Sequence, residues 1–138
     1  MEEILHKYNW PKRSIPSPEA IAEIERITNF RIPQDYRHYL NSYSGFEINI
    51  GKEFVILWDL DELLDQNLGY GIFENLPNTL VIGGNGGGEF IAIERDENEQ
   101  YRIVLSPFID LDKQYHIEIG ISFSDFLTRL DKGGVWFE

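Results

Sequence analysis

The stretch TLVIGGNGGGEFIAIER, residues 79–95, decides the fold. Its first four residues favour β-structure, and the strand that they predict ends at the glycine-rich run 83–88. Residues 89–95 then alternate between two faces, and both faces carry apolar side chains. The alternation sets two groups on opposite faces, namely Phe90, Ala92 and Glu94, and Ile91 and Ile93. A polar turn at 96–99 and a returning strand at 100–105 complete a predicted antiparallel hairpin.

The glycine-rich run 83–88 predicts a tight connection between two strands. A phosphate-binding loop would lead directly into a helix N-terminus and would usually carry a lysine. This run leads into a strand instead, and no Lys or Arg lies between Asn78 and Arg95. Because glycine allows positive φ and close backbone approach, we interpret the run as structural. A small molecule bound at this loop is the alternative.

Helices are predicted before and after the β-rich segment. Ser17 caps a helix at 18–29, and Pro33 begins a second helix that Gly45 ends. Asp59 caps a short helix at 60–66, and a capping pair of Ser122 and Asp125 begins a last helix that Gly133 ends. Two further strands, a buried one at 54–58 and a short one at 116–119, and a loop at 67–78 complete the prediction.

This order of elements predicts an α+β fold. Helices come first, strands follow and a helix closes the chain, which is typical of a largely antiparallel mixed sheet with helices packed against it. No repeat or linker divides the 138 residues, so we predict one domain over 1–138.

Net charge is the most informative bulk property. The chain has 24 Asp and Glu against 12 Lys and Arg, a formal net charge of −12. Nucleic-acid binding requires Lys and Arg to offset phosphates, so no nucleic-acid partner is predicted, and anionic membranes are disfavoured for the same reason. A basic protein partner would be attracted. The chain has no cysteine and no basic, apolar leader at its start, so we expect a cytoplasmic protein.

No group of residues predicts catalysis. The histidines, His6, His38 and His116, lack the spacing of zinc ligands, and no G-x-S-x-G elbow accompanies the serines. We therefore predict no catalytic residue, no metal ligand and no cofactor, and expect that the protein is not an enzyme.

Two acidic clusters are candidates for partner binding. Neither has the ligand spacing of a calcium loop. Helix-terminal charge and a solvated turn account for much of both clusters, and a docking surface for Lys and Arg is the functional interpretation. The candidate residues are Asp59, Asp61, Glu62 and Asp65 in the first cluster, and Asp96, Glu97 and Glu99 in the second.

Two segments together resemble the SUKH superfamily. The first is Ile32-Pro33-x-x-Tyr36-x-x-x-Leu40, which continues to Tyr43-Ser44-Gly45, and the second is the glycine-rich run from Val81 to Glu89. Asn85 stands where Ser or Asp is expected. The resemblance covers residues 17–131 and implies no catalytic residue. It implies structural roles for Pro33, Tyr36, Leu40, Gly45, Gly83 and Glu89.

This superfamily includes fungal Smi/Knr-type cell-wall synthesis regulators and bacterial immunity proteins, which bind and neutralise toxins that are often nucleases. The resemblance therefore implies an immunity-type protein. The net charge of −12 and the lack of catalytic residues suggest the hypothesis that its acidic faces occupy the basic cleft of a toxin. A regulatory or scaffold module is the alternative, followed by a small-molecule binder at the glycine-rich loop.

Overall fold

A computed structural model describes residues 1–137 and contains a six-stranded sheet. All pairings are antiparallel, and the strands lie in the order in which they occur in the chain. The predicted α+β class is confirmed. The strands are β1 (Phe46–Ile50), β2 (Glu53–Leu57), β3 (Thr79–Gly84), β4 (Glu89–Arg95), β5 (Tyr101–Pro107) and β6 (Ile117–Gly120).

Helices and one 3-10 turn accompany the sheet in the described chain. A 3-10 turn at Lys113–Tyr115 precedes β6. The helices in the described chain are α1 (Glu2–Lys7), α2 (Pro18–Thr28), α3 (Gln34–Ser42), α4 (Leu60–Gly69), α5 (Ile72–Asn75) and α6 (Phe123–Asp131).

Strand β4 separates two hydrophobic clusters, as the alternation predicts. Ile91 and Ile93 belong to the larger cluster, which the long helices cover. Phe90 and Ala92 belong to a smaller cluster beneath α5. Because both faces of β4 are buried, the strand needs apolar residues on both, and this explains its nearly continuous apolar sequence. Glu94 is the charged exception on the smaller cluster's face and is only 4% exposed.

The glycine-rich run serves a strand as well as a turn. Strand β3 continues through Gly84, two residues beyond the predicted end. Leu57 of β2 pairs with Gly83, and a Cβ atom there would lie 1.9 Å from the Ile56 carbonyl oxygen. Gly83 therefore permits the close approach of β2. The predicted positive φ occurs later in the run, at Gly86 and Gly88.

Helix α3 ends earlier than predicted. Its last residue is Ser42, and Tyr43 is already extended because its backbone pairs with Lys12. Gly45 is therefore not the residue that ends the helix. A Cβ atom at Gly45 would lie 2.4 Å from the Asp59 backbone nitrogen, so this glycine allows two segments to touch. The sequence prediction also omitted α1, β1 and α5.

A buried asparagine joins α4 to the sheet. The residues of β3 before Gly83 have no pairing with β2, and beside Val81 the side chain of Asn67 takes the place of a strand. Its Nδ2 donates to the carbonyls of Val81 and Leu63, both at 2.8 Å, and its Oδ1 accepts from the Val81 amide at 2.9 Å. These bonds satisfy both backbone groups of Val81 and hold α4 in place.

Candidate partner-docking surface

The family-motif residues of α3 are packed as scaffold. Tyr36 and Leu40 are each 1% exposed. The Tyr36 ring lies 5.8 Å from Tyr39 and 5.1 Å from Phe123 of α6, so the motif joins two helices over the larger cluster. Pro33 occupies the N-cap position of α3.

The glycine turn is filled by its own side chains. Asn85 Oδ1 accepts from the amides of Gly87 at 2.8 Å and Glu89 at 3.2 Å, and its Nδ2 donates to Glu89 Oε1 at 2.8 Å. Two amides that could have faced an anion are therefore engaged, and a carboxylate lies beside them. This geometry supports the structural interpretation of the run and of Glu89.

Some carboxylates of the first acidic cluster form hydrogen bonds within the protein, and others are exposed to solvent. Asp59 Oδ1 accepts from the amides of Leu60 and Gly45 and from Arg13 Nη2 at 2.5 Å. Glu62 Oε1 accepts from the Asp59 amide at 3.1 Å and completes a capping box. Asp59 therefore stabilises α4 and the Gly45 segment, and it is not free for a partner.

The outer face of α4 combines charge with apolar groups. Asp61, Asp65 and Leu68 follow i, i+4 and i+7 spacing, opposite the buried Leu63 and Asn67. Within residues 1–137, the exposed carboxylates of α4 form no ion pair. We call the α4 surface the exposed residues Asp61, Glu62, Asp65, Leu68 and Tyr70, together with Ile109, which follows Phe108 in the chain.

The apolar part of the α4 surface contacts the sheet through aromatic side chains. Tyr70 is 47% exposed, and its ring centroid lies 4.5 Å from that of Phe108. Phe108 in turn contacts Phe90 of β4 at 5.3 Å. The neighbouring Ile109 is 95% exposed. Large exposed apolar side chains beside charged ones are typical of protein–protein interaction sites.

The second acidic cluster lies elsewhere. Asp96 Oδ1 accepts from the amides of Asn98 and Gln100, so this residue shapes the β4–β5 turn, while Glu97 and Glu99 are exposed. The β4–β5 turn begins after Arg95, next to Glu94, which pairs with Thr79. Helix α4 begins shortly after Leu57, which pairs with Gly83. These positions are separated by about 13 Å along β3. The two clusters therefore belong to segments that leave the sheet at different points along β3.

A buried charged group on the smaller cluster was not predicted from the sequence. Glu94 Oε2 accepts from Arg102 Nε at 2.7 Å and lies 3.5 Å from His116 Nδ1. Burial lowers the pKa of His116, and Glu94 opposes this only in part. Arg102 therefore provides the positive charge that balances Glu94. The sequence signal was a glutamate on the same face as Phe90 and Ala92.

Residues 1–137 hold neither a metal-binding cluster nor a membrane-spanning helix. No group of three or more His, Cys, Asp or Glu side chains is arranged to hold a metal ion. None of the helices there has the length and apolar composition needed to cross a membrane.

Comparison with known proteins identifies the family. A model of the SMI1 / KNR4 family (SUKH-1) matches residues 15–129, which is most of the chain. No curated protein matches the sequence. The family match covers α2, α3, the whole sheet and most of α6, and thus the same segments in which the α3 and glycine-rich motifs lie. The chain belongs to the SMI1 / KNR4 family (SUKH-1).

Proposed function

We propose that this protein is an immunity-type protein that binds and neutralises a cognate toxin through its α4 surface. The family includes immunity proteins and SMI1/KNR4-like regulators, and members are generally not enzymes. The observation that supports this role is the α4 surface itself, where exposed carboxylates without ion pairs in residues 1–137 adjoin exposed apolar side chains.

The charge of the chain supports a basic partner. A formal net charge of −12 attracts a basic protein from a distance and repels nucleic acid. The carboxylates of Asp61, Glu62 and Asp65 then pair with Lys or Arg side chains, while Leu68, Tyr70 and Ile109 lose water on contact. Aromatic and apolar groups at the centre of an interface supply most of its affinity, and charged groups supply rate and specificity.

Neutralisation of this kind requires no chemistry from the protein itself. A nuclease has a basic cleft because its substrate is a polyanion, and an acidic surface that occupies the cleft excludes that substrate. The protein acts as a binding protein in the cytoplasm, where a toxin of this kind would meet its substrate. No catalytic side chain and no cofactor enter the proposal.

The test uses the product of the gene immediately upstream as the candidate toxin. Calorimetry should show a complex, and co-expression should protect cells from the toxin. The double variant Asp61→Lys/Asp65→Lys should weaken binding by about 100-fold and abolish protection.

A matched control reverses two exposed charges elsewhere. Glu3→Lys/Glu19→Lys, on α1 and α2, changes the net charge equally and should leave affinity within about threefold of wild type at physiological salt. Equal weakening by both double variants would show that charge acts without a specific surface. A partner that binds the α4 surface but is not toxic would favour the regulatory or scaffold role.

A further inference from the structure

Three arginines gather on one side of this acidic protein. Arg31, Arg37 and Arg95 line a cleft of about 590 Å³ and also line an adjoining cleft of about 330 Å³. They come from the α2–α3 connection, from α3 and from the end of β4. A quarter of the 12 basic residues therefore meets at one place, in a chain whose net charge is −12.

Arg37 is held in position by a carboxylate. Its Nη2 donates to Glu25 Oε2 at 2.6 Å and to the Ile32 carbonyl at 3.3 Å. Glu25 Oε2 also accepts from the Ile32 amide at 2.9 Å. Partial burial opposes ionisation of Glu25, but these hydrogen bonds outweigh it and lower the pKa of this side chain. Both bonds of Arg37 use Nη2, so its Nε and Nη1 donors remain for another group.

Arg95 and the Arg31 backbone are held by neutral groups. Arg95 Nη2 donates to Asn78 Oδ1 at 3.2 Å, and its guanidinium carbon lies 6.0 Å from the centre of the Phe30 ring. The Tyr101 hydroxyl donates to the Arg31 carbonyl at 2.8 Å. These contacts limit the motion of the two residues without cancelling their charge. A guanidinium that is already oriented loses less entropy when it binds an anion.

The local balance of charge leaves the site positive. Glu25 is the partner of Arg37, and Glu99 of the β4–β5 turn lines the larger cleft with the arginines. Three positive charges thus face two negative ones. Planar guanidinium groups match the spacing of two oxygens on a carboxylate or a phosphate, and the clefts have the size of small-molecule sites.

We propose that Arg31, Arg37 and Arg95 form a binding site for an oxyanion, a carboxylate or phosphate group, and that Glu99 at its rim weakens this binding. The site is separate from the α4 surface and does not depend on the proposed function. Glu99 acts here as a local competitor, because its carboxylate offers the arginines the same chemistry as the ligand would.

The test is an NMR titration of the whole protein with inorganic phosphate and, separately, with succinate, at constant ionic strength maintained with NaCl. Backbone amides around the clefts, such as those of Ile32 and Tyr101, should shift in a saturable way at about millimolar anion. Stronger binding of phosphate would identify a phosphoryl ligand, and stronger binding of succinate a carboxylate ligand. No saturable shift with either anion would overturn the proposal.

Three variants distinguish binding at this site from a nonspecific effect of charge. Arg31→Gln/Arg95→Gln should weaken binding about tenfold or more, and Glu99→Gln should strengthen it severalfold. The control Lys52→Gln/Lys132→Gln removes two positive charges outside both clefts and should leave the affinity unchanged. An equal loss of affinity in the control, or no gain of affinity in Glu99→Gln, would contradict the assignment. The gain expected from Glu99→Gln does not depend on whether the arginine variant keeps its stability.

Discussion

Replacing Asn67 with alanine tests how α4 is joined to the sheet. The side chain is fully buried and makes three hydrogen bonds, two of them to the backbone of Val81. The substitution leaves the Val81 amide and carbonyl without partners, and each buried unsatisfied group costs about 1–3 kcal/mol. The free energy of unfolding should therefore fall by about 2–5 kcal/mol. Asn67→Leu, which fills the space but cannot form the hydrogen bonds, should lower the free energy of unfolding by an amount within the same range.

Urea unfolding followed by tryptophan fluorescence measures this loss. With an m-value of about 2 kcal/mol/M, the midpoint should drop by about 1–2.5 M. Asn75→Ala is the matched control, because Asn75 Nδ2 also bonds the carbonyl four residues earlier, that of Gly71 at 2.9 Å, but is exposed. Its cost should stay near 0.5 kcal/mol, as is typical of surface substitutions. Equal midpoint shifts for Asn67→Ala and Asn75→Ala would refute the reasoning.

Two other predictions concern the glycine run and the buried histidine. Gly83→Ala should lower stability by about 2–4 kcal/mol in urea unfolding, because the new methyl would meet the Ile56 carbonyl, whereas Gly69→Ala, with nothing within 4 Å, should be neutral or slightly stabilising. Because burial lowers the pKa of His116 below 6.5, the unfolded chain takes up this proton first. Stability should therefore fall as pH drops below 6.5 and through the folded pKa, and His116→Gln should remove that part of the slope.

The fold was predictable where local chemistry and packing agree. Strand β4 alternates between two clusters, and the glycines beside it meet a backbone that leaves no room for a Cβ atom. Gly45 was misassigned because a glycine after a helix usually ends it, whereas here a contact with Asp59, distant in sequence, requires the small residue. Strand β1 was omitted although its residues alternate clearly and could have predicted it, whereas α5 is only four residues long and gives almost no periodic signal.

The candidate site was predictable by residue type but not by role. Seven acidic residues were candidates, and the hydrogen bonds show that Asp59 and Asp96 shape a helix cap and a turn. Such roles depend on backbone geometry, which the number and position of charged residues in the sequence do not give. The arginine cluster was missed because its members lie at positions 31, 37 and 95 and meet only through tertiary packing. Asn67 was missed for the same reason.

Stopped-flow association with the candidate toxin, measured from about 50 to 300 mM NaCl, tests the central claim most directly. If the α4 surface attracts a basic partner, the on-rate of the wild-type protein should fall by about tenfold or more over this range. Asp61→Asn/Asp65→Asn should bind more slowly at low salt and show a shallower salt dependence. An on-rate that does not change with salt, or a variant with the wild-type dependence, would contradict the account.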